Sequence, residues 1–331
     1  MADVQLVSVI IPTYNRADKL GDAIESALSQ TYPHVQVIVV DDGSIDHTAE
    51  LMKNYPQVTY MVKDHAGQAA ARNYGLKHSR GTIIASLDSD DIWNPDYLSK
   101  SVEKLERDQL EFVFSNWKQL TDKGVPWDFL DNDPFLQPHF KKTPDNWITL
   151  AYQDLRQIYL WACPSPSSSI VIRRSTLADG WDEKIHIGDD WCMLLDVILS
   201  EDRKVAFTLE KLWVKRIDAQ NIFDGRKRSE LLRFLYIEDH LTITNKIMKY
   251  LTPEEIAILE ERYIFSLVEL SKHEIFREHN VRESLKLLKI SMSISLRITL
   301  KAIPIILSDG FSNKYKVFSE KLNAKKINSL S

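Results

Sequence analysis

Short apolar runs rich in Val and Ile recur along the first third of the chain, at residues 7–11, 35–40, 82–87 and 112–114. Between them lie segments with apolar residues at helical spacing. Leu20, Ile24, Ala27 and Leu28 share one helical face, and Leu98, Val102 and Leu105 share another. The second of these segments opens at Asn94-Pro95, where a first helical turn tolerates proline. Runs that are apolar at nearly every position are buried on both faces. Their alternation with amphipathic helices predicts an α/β fold, a Rossmann-type, mostly parallel sheet flanked by helices.

Residues 117–165 change character. Pro126, Pro134, Pro138, Pro144 and Pro164 interrupt them, aromatics are frequent (Trp117, Trp127, Phe129, Phe135, Phe140, Trp147, Trp161), and little periodicity is visible before Trp147. This reads as an elaborated loop region, a common place for substrate specificity. Its aromatics are expected chiefly to pack a core, with stacking on a ligand as the alternative. Strand character returns at 169–173. From about Ser229 the pattern is helical, with a start signal at Thr252-Pro253-Glu254-Glu255. Ile290, Met292, Ile294, Leu296, Ile298 and Leu300 alternate with polar residues, a period-two pattern. The setting favours a helix apolar around much of its girth, either packed on its neighbours or lying on a membrane. The chain reads as free of internal repeats.

Composition adds little to the fold and more to the partners. With 44% hydrophobic and 27% charged residues the chain matches an ordinary soluble protein. The N-terminal residues lead straight into a strand-like segment, so no secretory signal is expected. No uninterrupted apolar stretch is long enough to span a bilayer. Cys163 and Cys192 are the only cysteines, too few for a disulfide framework or a thiolate metal site, and a cytoplasmic location is expected. Residues 281–331 carry ten Lys and Arg against three Asp and Glu, a charge of +7, so the preceding 280 residues hold −12 of the overall −5. An acidic body with a basic tail argues against nucleic acid as the main partner. It leaves peripheral contact between the tail and the inner face of a membrane open, and an oligomer is equally compatible.

Two of the apolar runs end in acids. Residues 37–40 lead into Asp41-Asp42-Gly43-Ser44, and residues 83–87 into Asp88-Ser89-Asp90-Asp91. Ligands of open parallel sheets bind outside the carboxyl ends of the strands. Either acidic cluster alone is readily explained as a turn or helix cap. Two on one rim gather negative charge that a cation or a hydrogen-bonding ligand would offset. Neither GxGxxG nor GxxxxGK[ST] occurs, so no standard phosphate cradle is present. A diphosphate can instead be held through a hard divalent cation on carboxylate oxygens.

Four stretches resemble family 2 glycosyltransferases of the GT-A fold: Ser8-Val9-Ile10-Ile11-Pro12-Thr13-Tyr14-Asn15-Arg16, Asp41-Asp42-Gly43-Ser44, Gly67-Gln68-Ala69-Ala70-Ala71-Arg72-Asn73-Tyr74-Gly75 and Leu87-Asp88-Ser89-Asp90-Asp91. The likeness is dense over residues 6–115. It resumes at 167–174 and from Gly180-Trp181-Asp182-Glu183 to Gly188-Asp189-Asp190-Trp191. The resemblance implies a GT-A-like catalytic domain over 1–224, with a nucleotide-sugar-binding half (1–115) and an acceptor-binding half (116–224). A helical C-terminal region with a basic tail (225–331) follows.

By the same resemblance, Asp42 matches the acid that bonds the donor base, and Pro12 and Tyr14 lie where the chain packs against that base. Asp88 and Asp90 match the outer letters of a DxD motif that holds Mn²⁺ or Mg²⁺ against the diphosphate, Asp90 being the better direct ligand. Arg72 falls in the donor-side loop, with a phosphate or ribose role and a structural ion pair as equal alternatives. Asp190 aligns with the catalytic base; as a helix N-cap it has a structural alternative. The implied reaction is inverting transfer from an NDP-sugar, UDP-linked first of all, to a saccharide or lipid-linked acceptor, in the synthesis of a surface glycan. The rivals are a sugar nucleotidyltransferase and a non-catalytic nucleotide-binding protein. The sequence departs from the family pattern in places. Asp196 stands where an Arg often supports the base's helix, no Gln-x-x-Arg-Trp motif occurs, and Lys215-Arg216-Ile217-Asp218 lacks the His usual near the metal, leaving Arg216 and Asp218 as candidates. His65 and His186 are read as loop or surface residues.

Overall fold

The computed structural model describes residues 5–121, 127–177, 179–217, 221 and 223–308. Pro126, Asp218 and the tail beyond 308 lie outside them, as does the Trp127 side chain. In chain order the strands are β1 (Val7–Thr13), β2 (Val35–Asp41), β3 (Thr59–Val62), β4 (Ile83–Ser86), β5 (Ile92–Trp93), β6 (Phe112–Thr121), β7 (Trp127–Asp128), β8 (Trp147–Leu150), β9 (Ile170–Arg173) and β10 (Val205–Ile217). The helices are α1 (Ala17–Leu28), α2 (Thr48–Leu51), α3 (Gln68–His78), α4 (Tyr97–Arg107), α5 (Tyr152–Trp161), α6 (Asp189–Ser200), α7 (Arg228–Arg233), α8 (His240–Ile247), α9 (Pro253–Phe276) and α10 (Val281–Ser308).

The chain forms two compact units. The first takes residues up to 183 together with 189–218. Its sheet runs β3-β2-β1-β4-β9-β6-β10-β5, with β7 added to β6 and β8 to β10. The longest ladders, β1 with β2 and β6 with β10, are parallel; β9 is antiparallel to both neighbours. The α/β reading therefore holds, and every residue of β1 is buried, as an apolar run predicts. Pro12 sits beyond the last pair of the β1–β4 ladder, Ile10 with Ser86, so its missing N–H breaks no bond there. Past that pair the ends of β1, β2 and β4 form one rim, which is where the acidic turns lie.

The sequence reading missed β10 and the helical part of the loop region. β10 carries irregularities between Thr208 and Lys211 and between Lys211 and Trp213, which erase the alternation a strand normally shows. Trp117, Phe135, Trp147 and Trp161 are buried, Trp117 stacking on Phe129 and Trp213. They pack the core and offer no platform for a sugar.

The second unit comprises 184–188 and the described residues after 218. Its helices close on clusters such as Leu232, Ile237, Leu267, Leu270 and Leu287. The start signal at Thr252 is realised in full. Its hydroxyl accepts from Glu255 N at 3.3 Å while Glu255 Oε2 accepts from Thr252 N at 2.8 Å, a reciprocal cap. Residues 281–308 are helical, although Ser295 is extended (φ −154°, ψ 106°). The helical alternative for the period-two stretch is the correct one. Among the described residues, only 281–307 would suit a membrane crossing by length and composition, and only if counted as one helix across Ser295.

Candidate active site

On the β2 side of the rim, both acids of Asp41-Asp42 are buried and serve the turns around them. Asp41 accepts from Ser44 N at 2.7 Å and from the Tyr60 hydroxyl at 2.7 Å. Asp42 accepts from Ala66 N at 3.0 Å, Gly67 N at 2.7 Å and Lys63 Nζ at 2.7 Å, and pairs with His65 at 2.9 Å. Its carboxylate thus fixes the 63–67 loop. Gly43 is required here: its φ is +83°, and a Cβ would press on His65 N at 3.2 Å and Lys63 O at 3.3 Å. His65 stacks on Tyr14 with ring centroids 4.2 Å apart, leaving the exposed Tyr14 ring at the edge of the crevice. His65 lies in an exposed loop, as its sequence reading has it, and there touches two of the candidate residues, Tyr14 and Asp42. Beside it, the buried Thr13 hydroxyl has no hydrogen-bond partner among the described residues.

The β4 side centres on Arg72, which α3 carries into the interior, 1% exposed. Its guanidinium donates to Asp88 Oδ1 at 2.7 Å and Asp189 Oδ2 at 2.5 Å, and lies 3.7 Å from Asp190 Oδ1. Nε reaches the Ser86 hydroxyl at 3.3 Å. Of the two alternatives for this residue, the geometry presents the ion pair. The neighbouring carboxylates raise its pKa further against the opposing effect of burial. Three carboxylates face this one cation, so negative charge is in excess. Burial, with Asp190 and Asp88 nearby, pushes the Asp189 carboxyl up to about 7 despite Arg72.

Asp88 keeps a third of its side chain exposed. Asp90 is nearly buried, with Arg16 at 3.6 Å; burial and the Asp88 charge raise its pKa. Asp91 lies deeper and accepts from the Ser168 hydroxyl at 2.6 Å; burial and its two acidic neighbours raise it well above the ordinary range. Arg216 also reaches this rim, its backbone N near Asp91 Oδ1 at 3.4 Å and its guanidinium on Asp22 at 2.5 Å. Among the described residues no group of three or more His, Cys, Asp or Glu side chains is arranged around a metal position. Asp88 and Asp90 nevertheless fit a hard divalent cation that brings its remaining ligands from a diphosphate. The donors are carboxylate oxygens, and the mutual repulsion seen in Asp90 is what a cation relieves.

Asp190 stands in the first turn of α6. Its Oδ1 accepts from the Ser167 hydroxyl at 2.5 Å and Trp181 Nε1 at 2.9 Å, and its Oδ2 from Ser167 N at 3.1 Å. The side chain remains 18% exposed. Ser168, the next residue of the same turn, donates to Asp91 and accepts from Asp88 N at 3.0 Å. One short turn therefore ties the acids after β4 to Asp190. Asp189, Asp91, Ser167, Ser168 and Trp181 were given no role from the sequence. Their positions within the resembling stretches were the only signal available.

Comparison with known proteins follows the same outline. Residues 8–176, just over half of the chain, match the family model described as Glycosyl transferase family 2. A putative teichuronic acid biosynthesis glycosyltransferase, TuaG of Bacillus subtilis, is 36% identical over 128 residues, 37% of this chain and 51% of its own. WfaP of Escherichia coli, a UDP-Glc:α-D-GlcNAc-diphosphoundecaprenol β-1,3-glucosyltransferase, is 38% identical over 117 residues, 34% of this chain and 47% of its own. The match thus spans about half the length of these two relatives. Among solved structures, S. aureus TarS 1–349 in complex with UDP-GlcNAc superposes with a TM-score of 0.61 at 20% identity, over 88% of this chain and 82% of that one. The mannosyltransferase PcManGT of Pyrobaculum calidifontis, in complex with GDP-Man and Mn²⁺, gives 0.53 at 17% identity, over 96% and 84%. These likenesses establish the GT-A-like fold.

Proposed function

The chain belongs to glycosyltransferase family 2, and from that premise we propose that it transfers a sugar with inversion from an NDP-sugar, UDP-linked first of all, to a hydroxyl of a saccharide or lipid-linked acceptor, as a step in surface-glycan synthesis. The observation that carries the reading is the setting of Asp190, a partly exposed carboxylate anchored by three donors and joined through Arg72 to Asp88.

Two Oδ1 lone pairs already accept hydrogen bonds, whereas Oδ2 accepts one. Oδ2 is therefore the atom that takes the acceptor's proton. As it does so, the acceptor oxygen bonds to the anomeric carbon, and the bond from that carbon to the diphosphate oxygen breaks with its electron pair leaving on the NDP. Such a base typically contributes about 10²–10⁴-fold. Tyr14 stacked on His65 gives the nucleobase an aromatic face. Pro12, two residues before Tyr14 at the end of β1, would lie behind that face, and Asp42 holds the loop that carries His65. Asp88 and Asp90 would hold Mn²⁺ or Mg²⁺, which when bound offsets the charge developing on the leaving diphosphate. Arg72 positions Asp88 and the acids of α6 from beneath. This assigns it no direct part in donor binding.

The test is a panel of UDP-, GDP- and dTDP-sugars assayed for NDP release with and without acceptor, in Mn²⁺, Mg²⁺ or chelator. Acceptor-stimulated release from one donor, and a β-linked product from an α-linked donor, are the expected outcomes. Pyrophosphate release from a sugar phosphate and a nucleoside triphosphate, or nucleotide binding with no turnover, would replace this reading.

A further inference from the structure

α10 is two helices. Ser291 Oγ and Thr299 Oγ1 lie 2.6 Å apart, although residues eight apart in a straight helix are separated by about 12 Å along the axis. With Ser295 extended between them, residues 281–294 and 296–308 form the arms of a hairpin. Both arms lie on α9. Leu287 packs with Leu267 and Leu270, while Ala302 and Ile306 pack with Phe265 and Val268; Lys272 Nζ of α9 donates to Ile306 O at 2.6 Å.

The arms also repeat one another, fifteen residues apart. Arg282, Leu285 and Lys286 of the first correspond to Arg297, Leu300 and Lys301 of the second, and the buried Ser284 and Leu287 to Thr299 and Ala302. The sequence reading missed this repeat because only these few positions are shared. In each arm Arg, Leu and Lys fall at i, i+3 and i+4 on an exposed stripe beside the residues packed on α9, with Lys301 at its margin, where Nζ bonds Glu261 of α9 at 3.0 Å. Leu285 and Leu300 are 60% and 56% exposed, and Met292 and Leu307 continue their rows. The exposed cations Arg282, Lys286, Lys289, Arg297 and Lys301 share 281–308 with a single acid, Glu283.

We propose that this hairpin docks on the surface of an anionic lipid bilayer, its exposed leucines entering the headgroup region and its Arg and Lys side chains meeting lipid phosphates. The charge chooses this occupant. Lysine is depleted at the centres of protein interfaces, whereas cations rimming exposed leucines suit an interface where the stem lies in apolar surroundings and the head reaches phosphate. Length excludes a straight crossing, because each arm extends about 20 Å against a hydrocarbon core of about 30 Å. The proposal rests on the hairpin alone and is independent of the donor and acceptor assignments.

The test uses the full chain and flotation with vesicles of phosphatidylcholine alone or mixed with phosphatidylglycerol. One variant combines Arg282→Gln, Lys286→Gln, Arg297→Gln and Lys301→Gln; a second combines Leu285→Ser and Leu300→Ser. All six side chains are exposed, so circular dichroism should be unchanged. The wild type should float with the mixed vesicles only. The charge variant should bind about six-hundredfold more weakly, at about fivefold for each of its four cations. The leucine variant should lose the binding that survives high salt. Equal binding to both vesicle types, or vesicle binding unaltered by both variants, would overturn the proposal. So would a wild type that ignores vesicles and forms a dimer, by light scattering, that the leucine variant abolishes; that result would assign the face to a second copy of the chain.

Discussion

Ser167 donates both its hydroxyl and its backbone N–H to the carboxylate of Asp190, at 2.5 and 3.1 Å, one bond to each oxygen. A carboxylate held at both oxygens keeps one orientation and still has one lone pair of Oδ2 to use, which is what a positioned base requires. The same turn holds Asp91 and the backbone of Asp88 through Ser168. Movement of either acidic element is thereby felt by the other.

Asp190→Asn should lower kcat for transfer by about 10²–10⁴-fold with NDP-sugar affinity within a few-fold of wild type. The amide still accepts from Trp181 and the Ser167 hydroxyl but presents its NH₂ to Ser167 N, so a stability loss of about 1–2 kcal/mol is also expected. Single-turnover kinetics with calorimetric donor binding separates the two effects. Transfer within a few-fold of wild type by a folded variant would remove the base assignment.

Asp90→Asn should abolish the metal-dependent part of NDP binding and leave the apo fold at least as stable, because a carboxyl raised by burial and by Asp88 is relieved of its charge. Calorimetry of UDP with Mn²⁺ or chelator and a thermal melt test this. Unaltered metal dependence would refute the ligand role.

Arg72→Ala should cost about 3–5 kcal/mol, since it strands Asp189 in the interior without its cation. Arg72→Lys keeps the charge but cannot reach Asp88, Ser86 and Asp189 together, so it should recover much of the stability and little of kcat. Urea melts of the two variants and a kcat–KM comparison decide between a positioning role and a purely structural one, for which Lys would restore both.

Protonation of Asp189 gives stability a pH signature. Its folded pKa, about 7, lies above the ordinary carboxylate value, so its contribution is most favourable at low pH and is lost as pH rises toward 7. The stability of wild type relative to Asp189→Asn should therefore fall between pH 5 and 7, by about 1 kcal/mol per pH unit at most. Urea melts across that range measure it; a flat or rising difference contradicts the assignment.

Asp42→Ala should weaken nucleotide binding together with order in the 63–67 loop. Its carboxylate holds Ala66 N and Gly67 N and orients His65 under Tyr14. Hydrogen exchange at those two amides should accelerate in the variant. Weakened binding with unchanged protection would point to direct contact with the base instead.

The sequence by itself determined the parallel half of the sheet and the positions of its acids. The runs 7–11 and 35–40 are apolar but for Ser8 and Gln36, too continuous for a strand with one wet face, so burial on both faces follows from local composition, and parallel strands bring their ends to one rim. The cap at Thr252 was legible for the same reason, its partners being three residues apart. Tertiary structure alone decided how the acids are used. Arg72 meets Asp189 across 117 residues, and Ser167 meets Asp190 across 23, through contacts that no local period encodes. Whether Asp42 faces a ligand or its own loop depended on where residues 63–67 returned. The two halves of α10 were disguised by alternation that continues through Ser295, because the reversal exchanges one helical face for another at a single extended residue. Local spacing fixes which face of an element is apolar; only packing fixes which groups a charge meets once it is withdrawn from water.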